Sequence, residues 1–232
     1  MRKKTIKVIF CGYRPWAIDI FNSLKTNKHI SIYSVISSQD EYIKNKDFFP
    51  NDIDIILFAG WSWLISDSIT NKYLCLGIHP SDLPFYRGGS PLQNQIINGI
   101  KKTKVSIFEL KSKLDAGHVW AKNDLCLEGD NMDVIFKNLS DSSIEMLNTF
   151  FDKFPNIKPE KQDLSKGSYF KRRKPQDSEL SYEKIKNMSL EQFYNFIRCL
   201  TKPYPNAYLK NKNGDKLFIK EIEFIKNKKD TV

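Results

Sequence analysis

The sequence predicts an α/β fold: a mostly parallel sheet with helices on both faces, followed by a small C-terminal helix and β-hairpin module. Three observations predict it. Through the first half, apolar runs of strand length alternate with stretches whose apolar residues recur three and four apart, the order of strand–helix–strand units. Two of those runs end in glycine and a third ends in histidine, as expected where strand ends face a ligand crevice. After residue 155 the chain turns polar, basic and proline-containing before a last helical pattern and a pair of strand-like runs. Together these describe a Rossmann-like catalytic domain over 1–155, a linker or arm over 156–188 and a small module over 189–232.

Each element has its own signal. "IKVIFCG" (6–12) is a continuous apolar strand, as buried parallel strands are. "AIDIFNSLK" (17–25) has helical spacing, with Pro15 and Trp16 at its start. "ISIYSVIS" (30–37), "DIDIILFAG" (52–60) and "YLCLGIH" (73–79) are further strands. "SPLQNQIINGI" (90–100) begins with Ser90 as a cap and Pro91 in the first turn of a helix. "KVSIFELK" (104–111) alternates, and "HVWAKNDLCL" (118–127) is its hairpin partner. Residues 131–154 form a long amphipathic helix. "SLEQFYNFIRCLTK" (189–202) is a helix capped by Ser189, a hairpin turns around Asn213 and Gly214, and the tail 226–232 frays.

Composition narrows the class. Of 232 residues, 41% are apolar and 28% charged, ordinary for a globular protein. No window approaches the ~18 uncharged apolar residues of a membrane span, and no small-residue cleavage site follows the basic N-terminus. A cytoplasmic protein without a membrane partner is the expectation. Cys11, Cys75, Cys126 and Cys199 are scattered, mostly inside apolar runs, and with three histidines they form no zinc-like pattern. They read as reduced core cysteines, and no metal is expected. The net charge is +10, with 19 basic and 17 acidic groups in 1–154 against 18 and 10 in 155–232. A diffuse lysine excess attracts anions without choosing among them. A phosphate-bearing small ligand is expected in preference to nucleic acid.

The chemistry gathers around "GIHPSDLPFYRGGSPLQN" (77–94). A lone histidine at a strand end is often structural. His79, however, is followed by Pro80, Pro84, Gly88 and Gly89, then by a helix N-terminus with free N–H groups. A second strand ends in "SKLDAGHVW" (112–120), which sets Asp115 in a glycine-containing turn.

These stretches, with "FIRCLTKPYPNAYL" (196–209), resemble the formyltransferases that use 10-formyltetrahydrofolate. The pattern is histidine-proline-serine, leucine-proline, arginine-glycine, then aspartate-x-glycine about 35 residues later, and it extends over about residues 6–225. The short length and "YFKRRKPQDSEL" (169–180) resemble most the branch acting on nucleotide-linked amino sugars. The resemblance implies that His79 polarises the formyl oxygen and takes part in proton transfer. It implies that Asp115 orients His79 or a water and accepts the amine's proton. It further implies a dTDP- or UDP-linked amino sugar as acceptor, a homodimer, and a place in surface polysaccharide (O-antigen) synthesis.

One position departs from the pattern. The family's asparagine two residues before the histidine is Gly77 here. Asn94, about one turn into the following helix, is the candidate replacement donor for the formyl oxygen. Backbone around Leu114 and Ala116 is the candidate reader of the pterin edge, and Trp61 and Trp63 either wall that pocket or pack in the core. Gly12, Tyr13 and Arg14, after the first strand, form a candidate pyrophosphate site. Arg87 is a second anion candidate, or else it braces its loop through backbone carbonyls. The "KRRK" run (171–174) reads as a solvated or packed arm. Two other readings stay open: a methionyl-tRNA formyltransferase-like enzyme, favoured by the basic last third, and a non-catalytic folate- or sugar-binding protein, kept open by Gly77.

Overall fold

A computed structural model describes residues 5–225; the tail read as frayed lies outside them. In chain order the elements of the first half are β1 (Ile6–Gly12), α1 (Pro15–Leu24), β2 (Ile30–Ile36), α2 (Gln39–Asn45), β3 (Ile55–Ala59), α3 (Asp67–Lys72), β4 (Cys75–His79), β5 (Arg87–Gly88), α4 (Pro91–Ile97), β6 (Lys102–Glu109), β7 (Val119–Cys126) and α5 (Met132–Lys153). The sheet runs β2-β1-β3-β4-β6-β7. Its first four strands are parallel, and β6 and β7 join antiparallel.

The period-two rule separates the two faces. Val8 and Phe10 of β1, Ile55 and Leu57 of β3, and Leu76 and Ile78 of β4 pack on one side with α1 and α5. Ile9, Cys11, Ile56, Phe58 and Cys75 pack on the other with Tyr42 of α2 and Ile69 of α3. Helices therefore cover both faces, which is why the inner parallel strands β1, β3 and β4 read as nearly unbroken apolar runs, whereas the edge strand β2 is partly exposed.

The last third comprises β8 (Tyr169–Phe170), α6 (Tyr182–Lys186), α7 (Leu190–Arg198), β9 (Ala207–Lys210) and β10 (Lys216–Ile219). Residues 160–173 lie against the catalytic loops: Glu160 bridges Val119 of β7, and β8 pairs in parallel with β5. Phe196, Ile197, Cys199, Leu200 and Ala207 join the same buried cluster as the main sheet. Arg198 donates to the carbonyls of Leu127 at 2.9 Å and Gly129 at 2.8 Å. The C-terminal segment thus completes the main core. Ser189 and Gln192 cap α7 reciprocally, and β9 pairs antiparallel with β10. Among the described residues no helix is long and apolar enough to cross a membrane.

One local expectation is corrected. Ser90 sits before α4 in the left-handed conformation, and its side chain caps nothing. Its hydroxyl accepts instead from the Arg173 N–H at 3.1 Å, so the arm has taken the group that would have capped the helix.

Candidate active site

β4 delivers His79, which is 6% exposed, to the carboxyl edge of the sheet beside the loop that follows β6. The ring's Nε2 bonds the Tyr86 carbonyl at 2.9 Å. Its Nδ1 lies 3.7 Å from Asp115 Oδ2. That same oxygen accepts from the Gly88 N–H at 2.7 Å. Among the described residues, the non-glycine residues at positive φ are Tyr86, Ser90 and Asp115, and all three belong to these two loops. Held left-handed conformations of this kind cost about 1–3 kcal/mol each and persist where the surroundings over-determine them.

The surroundings here are the arm. The Tyr86 N–H donates to Ser168 Oγ at 2.8 Å, Arg87 N–H to Ser168 O at 3.0 Å, and Gly89 N–H to Phe170 O at 2.8 Å. Gln162, 8% exposed, donates to the carbonyls of Asp115 at 3.0 Å and Gly117 at 2.6 Å. The density of glycine after His79 follows from this contact. A Cβ on Gly88 would lie 2.2 Å from the Phe170 carbonyl, and one on Gly89 would lie 2.3 Å from the Arg172 Cα.

Two cavities meet at His79. The first, about 600 Å³, is walled by Phe58, Trp61, Trp63, Phe108 and Leu110, with Asp115 at its margin. The second, about 370 Å³, is walled by Arg14, Trp16, Gln93, Arg172 and Tyr204. Trp61, Leu114 and His79 line both. Burial raises the pKa of the Tyr204 phenol, and the positive charges of Arg14 and Arg172 act against that rise. The Gln93 amide acts against it as well, and Arg14 and Arg172 line the same cavity as Tyr204.

Of the expected residues, His79, Asp115, Trp61, Trp63, Leu114 and Arg14 line these cavities, and the others do not. Asn94 is a correction: its amide donates to the Gly89 carbonyl at 3.0 Å and holds the loop, so it does not point at the strand end. Arg87, buried, braces the same loop through Nε to the Pro84 carbonyl at 3.2 Å, the second of its two readings. Gly12 is packed against the Ala59 carbonyl and the Phe10 ring. Tyr13 supports the tryptophans from behind, with its ring centroid 5.0 Å from Trp63 and its hydroxyl 2.7 Å from Ser62 Oγ. Ala116 only closes the Asp115 turn, through its N–H to Lys113 O at 3.3 Å.

The chain is similar to known proteins over most of its length. Residues 46–143 match the model of the formyl transferase family. A methionyl-tRNA formyltransferase of Bacillus velezensis is 34% identical over 160 residues, which are 67% of this chain and 49% of that protein. The chain thus spans about half the length of the curated relatives it matches. The solved methionyl-tRNA formyltransferase of Clostridium thermocellum superposes with a TM-score of 0.77 at 31% identity, over 94% of this chain and 100% of that one.

The chain belongs to the formyltransferase family.

A sugar N-formyltransferase of Shewanella sp. FDAARGOS_354 shares the fold, with a TM-score of 0.74 at 16% identity over 95% of this chain and 99% of that one. The family's formyl donor is 10-formyltetrahydrofolate. In this chain the cavity and loop residues that sequence reasoning passed over are Gln93, Gln162, Arg172 and Tyr204. Arg172 lay inside a basic run that looked solvated. Gln162 carried no local signal, since its contact with Asp115 spans 47 positions.

Proposed function

We propose that this chain transfers a formyl group from 10-formyltetrahydrofolate to the amine of a nucleotide-linked amino-dideoxy sugar, such as dTDP-4-amino-4,6-dideoxyglucose. One observation carries the reading: His79 stands in the wall shared by an aromatic cavity and a cationic one. Transfer between two bound molecules needs a reactive group within reach of both. The aromatic cavity suits a flat heterocycle, and the Trp61 indole N–H is buried in its wall without a partner, a donor for an acceptor edge. The cationic cavity offers Arg14 and Arg172 to a diphosphate.

In this reaction the amine nitrogen bonds the formyl carbon and the carbon's bond to the folate nitrogen breaks. One proton leaves the amine and one reaches the folate nitrogen. A carbonyl only accepts, so the Tyr86 carbonyl keeps a hydrogen on His79 Nε2 and leaves Nδ1 to gain or donate the second. The Asp115 carboxylate lies 3.7 Å from Nδ1, and a proton carried on Nδ1 is donated to the oxygen where charge develops. Asp115 Oδ1 stands outside the bond to Gly88 and takes the proton of the amine.

The curated relatives favour a second reading, in which the amine is that of methionyl-tRNA. Mass spectrometry decides between them: the chain, 10-formyltetrahydrofolate and a panel of dTDP- and UDP-linked amino sugars, alongside charged initiator tRNA. A formylated sugar supports the proposal. Formylated methionyl-tRNA alone transfers the assignment to the second reading, and binding of folate without any product leaves a non-catalytic protein. The homodimer and the place in surface polysaccharide synthesis rest on the resemblance; light scattering tests the former.

A further inference from the structure

The start of α4 carries three consecutive amides, Gln93, Asn94 and Gln95. Two are spent on the loop after His79. Asn94 holds the Gly89 carbonyl, and Gln95 donates to the carbonyls of Pro80 at 2.7 Å and Pro91 at 3.0 Å. Gln93 is different. It is 2% exposed, lines the cationic cavity, and has no hydrogen-bond partner on either its nitrogen or its oxygen. The Tyr204 phenol lies close enough for the Gln93 amide to lower its pKa against the rise that burial causes, although the pair does not meet the geometry of a full hydrogen bond. A buried amide with both ends unpaired is unfavourable in a finished core. It is what a binding site keeps for a ligand group that both donates and accepts.

Its position says which group. Gln95 ties this turn of the helix to the residue directly after His79. Tyr204, beside Gln93, is the spot on which Arg14 and Arg172 both act. The Gln93–Tyr204 pair thus lines the same cavity as His79, Arg14 and Arg172. An acceptor with its amine at His79 and its phosphates at the arginines lays its middle across this pair.

We infer that Gln93, together with Tyr204, reads a ring hydroxyl next to the reacting amine of the acceptor and so decides which amino sugars are formylated. This rests on the proposed function. Gln93 acts by positioning: its Nε2 donates to the hydroxyl oxygen and its Oε1 accepts the hydroxyl hydrogen. Tyr204, kept protonated by burial, remains able to donate as well.

The test compares dTDP-4-amino-4,6-dideoxyglucose with its 3-deoxy analogue, using wild type, Gln93→Leu and Gln93→Glu. Sites built to bond a hydroxyl reject the analogue lacking it, because their own polar groups are then left unpaired. Wild type is expected to prefer the hydroxylated sugar by about tenfold or more in kcat/KM. Gln93→Leu should collapse that preference to within about threefold, by losing activity on the hydroxylated sugar alone. Gln93→Glu retains an acceptor and should retain part of the preference. The ligand-free melting temperature of Gln93→Leu should hold or rise, since an unpaired amide has left the interior. A lowered melting temperature with both sugars equally impaired would make Gln93 a structural residue and overturn the inference. So would an unchanged preference. Wild type that formylates no amino sugar removes the proposed function, and this inference falls with it; preference retained by an active Gln93→Leu removes the inference alone.

Discussion

Tyr86 fixes the tautomer of His79. Its backbone carbonyl lies 2.9 Å from Nε2, and the Tyr86 residue that presents it is held in the left-handed region at φ 55°. The arm enforces that conformation twice. Ser168 Oγ accepts from the Tyr86 N–H, and the Phe170 ring stacks on the Tyr86 ring at 4.9 Å and 5°. The histidine's chemistry is thus set by residues more than 80 positions away in the chain.

The proposed reaction needs both His79 and Asp115. His79→Ala should lower kcat by about 10²–10³, the usual effect of removing an oxyanion donor. Asp115→Asn keeps an oxygen for the Gly88 N–H and so should fold, yet it loses the carboxylate that takes the amine's proton in the proposed reaction. A fall of similar order in kcat is expected. Product formation measured by mass spectrometry checks both, and near-normal turnover in either variant would remove that residue from the mechanism.

Gln162 should behave as a positioning residue. Gln162→Leu leaves the carbonyls of Asp115 and Gly117 without their buried donor, at about 1–3 kcal/mol of stability. The melting temperature should fall. If the turn carrying Asp115 relaxes, kcat should fall as well while KM for folate changes little. A stability loss with kcat intact would mean that the Asp115 turn holds its shape without the arm.

The strand–helix alternation was legible because the inner parallel strands β1, β3 and β4 are buried on both faces, and burial of that kind writes unbroken runs such as "IILFA" into the chain. His79 was legible because it ends β4 and is followed by proline, and Asp115 because it sits in a glycine-containing turn in the loop after β6. The arm was not. Its contacts with the loop are backbone hydrogen bonds, the Gly88–Phe170 and Gly89–Arg172 approaches, and two hydroxyls, Ser168 and Ser90. Backbone pairing leaves no mark on side-chain composition, so a basic polar stretch looked solvated although Arg172 lines a cavity. Asn94 was singled out and Gln93 passed over for a related reason: neighbouring amides on a helix differ by about 100° in direction, and spacing alone does not say which one exchanges its expected role for a bond to the loop.

That exchange has consequences at position 77. Asn94→Ala should leave kcat within a few fold of wild type and lose about 0.5–1.5 kcal/mol, the worth of one hydrogen bond to the loop. Restoring asparagine at Gly77 should not help. A Cβ there would lie 2.9 Å from both Leu110 Cδ2 and Phe108 Cε1. Leu110 is only partly buried and can turn aside, but Phe108 is 3% exposed. Overpacking of this sort costs about 1–3 kcal/mol. Gly77→Asn should therefore melt lower, and Leu110→Ala in the same chain should recover part of the loss. Full stability in the single variant would show that the Phe108 side has more room than these distances allow.

The cysteines give a prediction with a definite sign in pH. Cys11, Cys75 and Cys199 are buried and Cys126 is exposed. Burial pushes the Cys75 and Cys199 thiols up to about 12 and raises Cys11 as well. The thiolate is the reactive form, so iodoacetamide at pH 8 should label Cys126 alone in the folded protein and all four after denaturation. The same shifts bear on stability. A folded pKa above the unfolded one means that the unfolded chain loses its protons first. This contribution is complete below the unfolded thiol value of about 8.5 and declines as pH rises from there toward about 12 for Cys75 and Cys199. Denaturant midpoints should accordingly fall above pH 9. Replacing Cys199 by alanine, which leaves a small cavity but no titrating group, should lower the plateau and flatten the decline. Rapid labelling of Cys75 or Cys199 in the native protein would mean that the core around β4 and α7 opens far more readily than its packing implies.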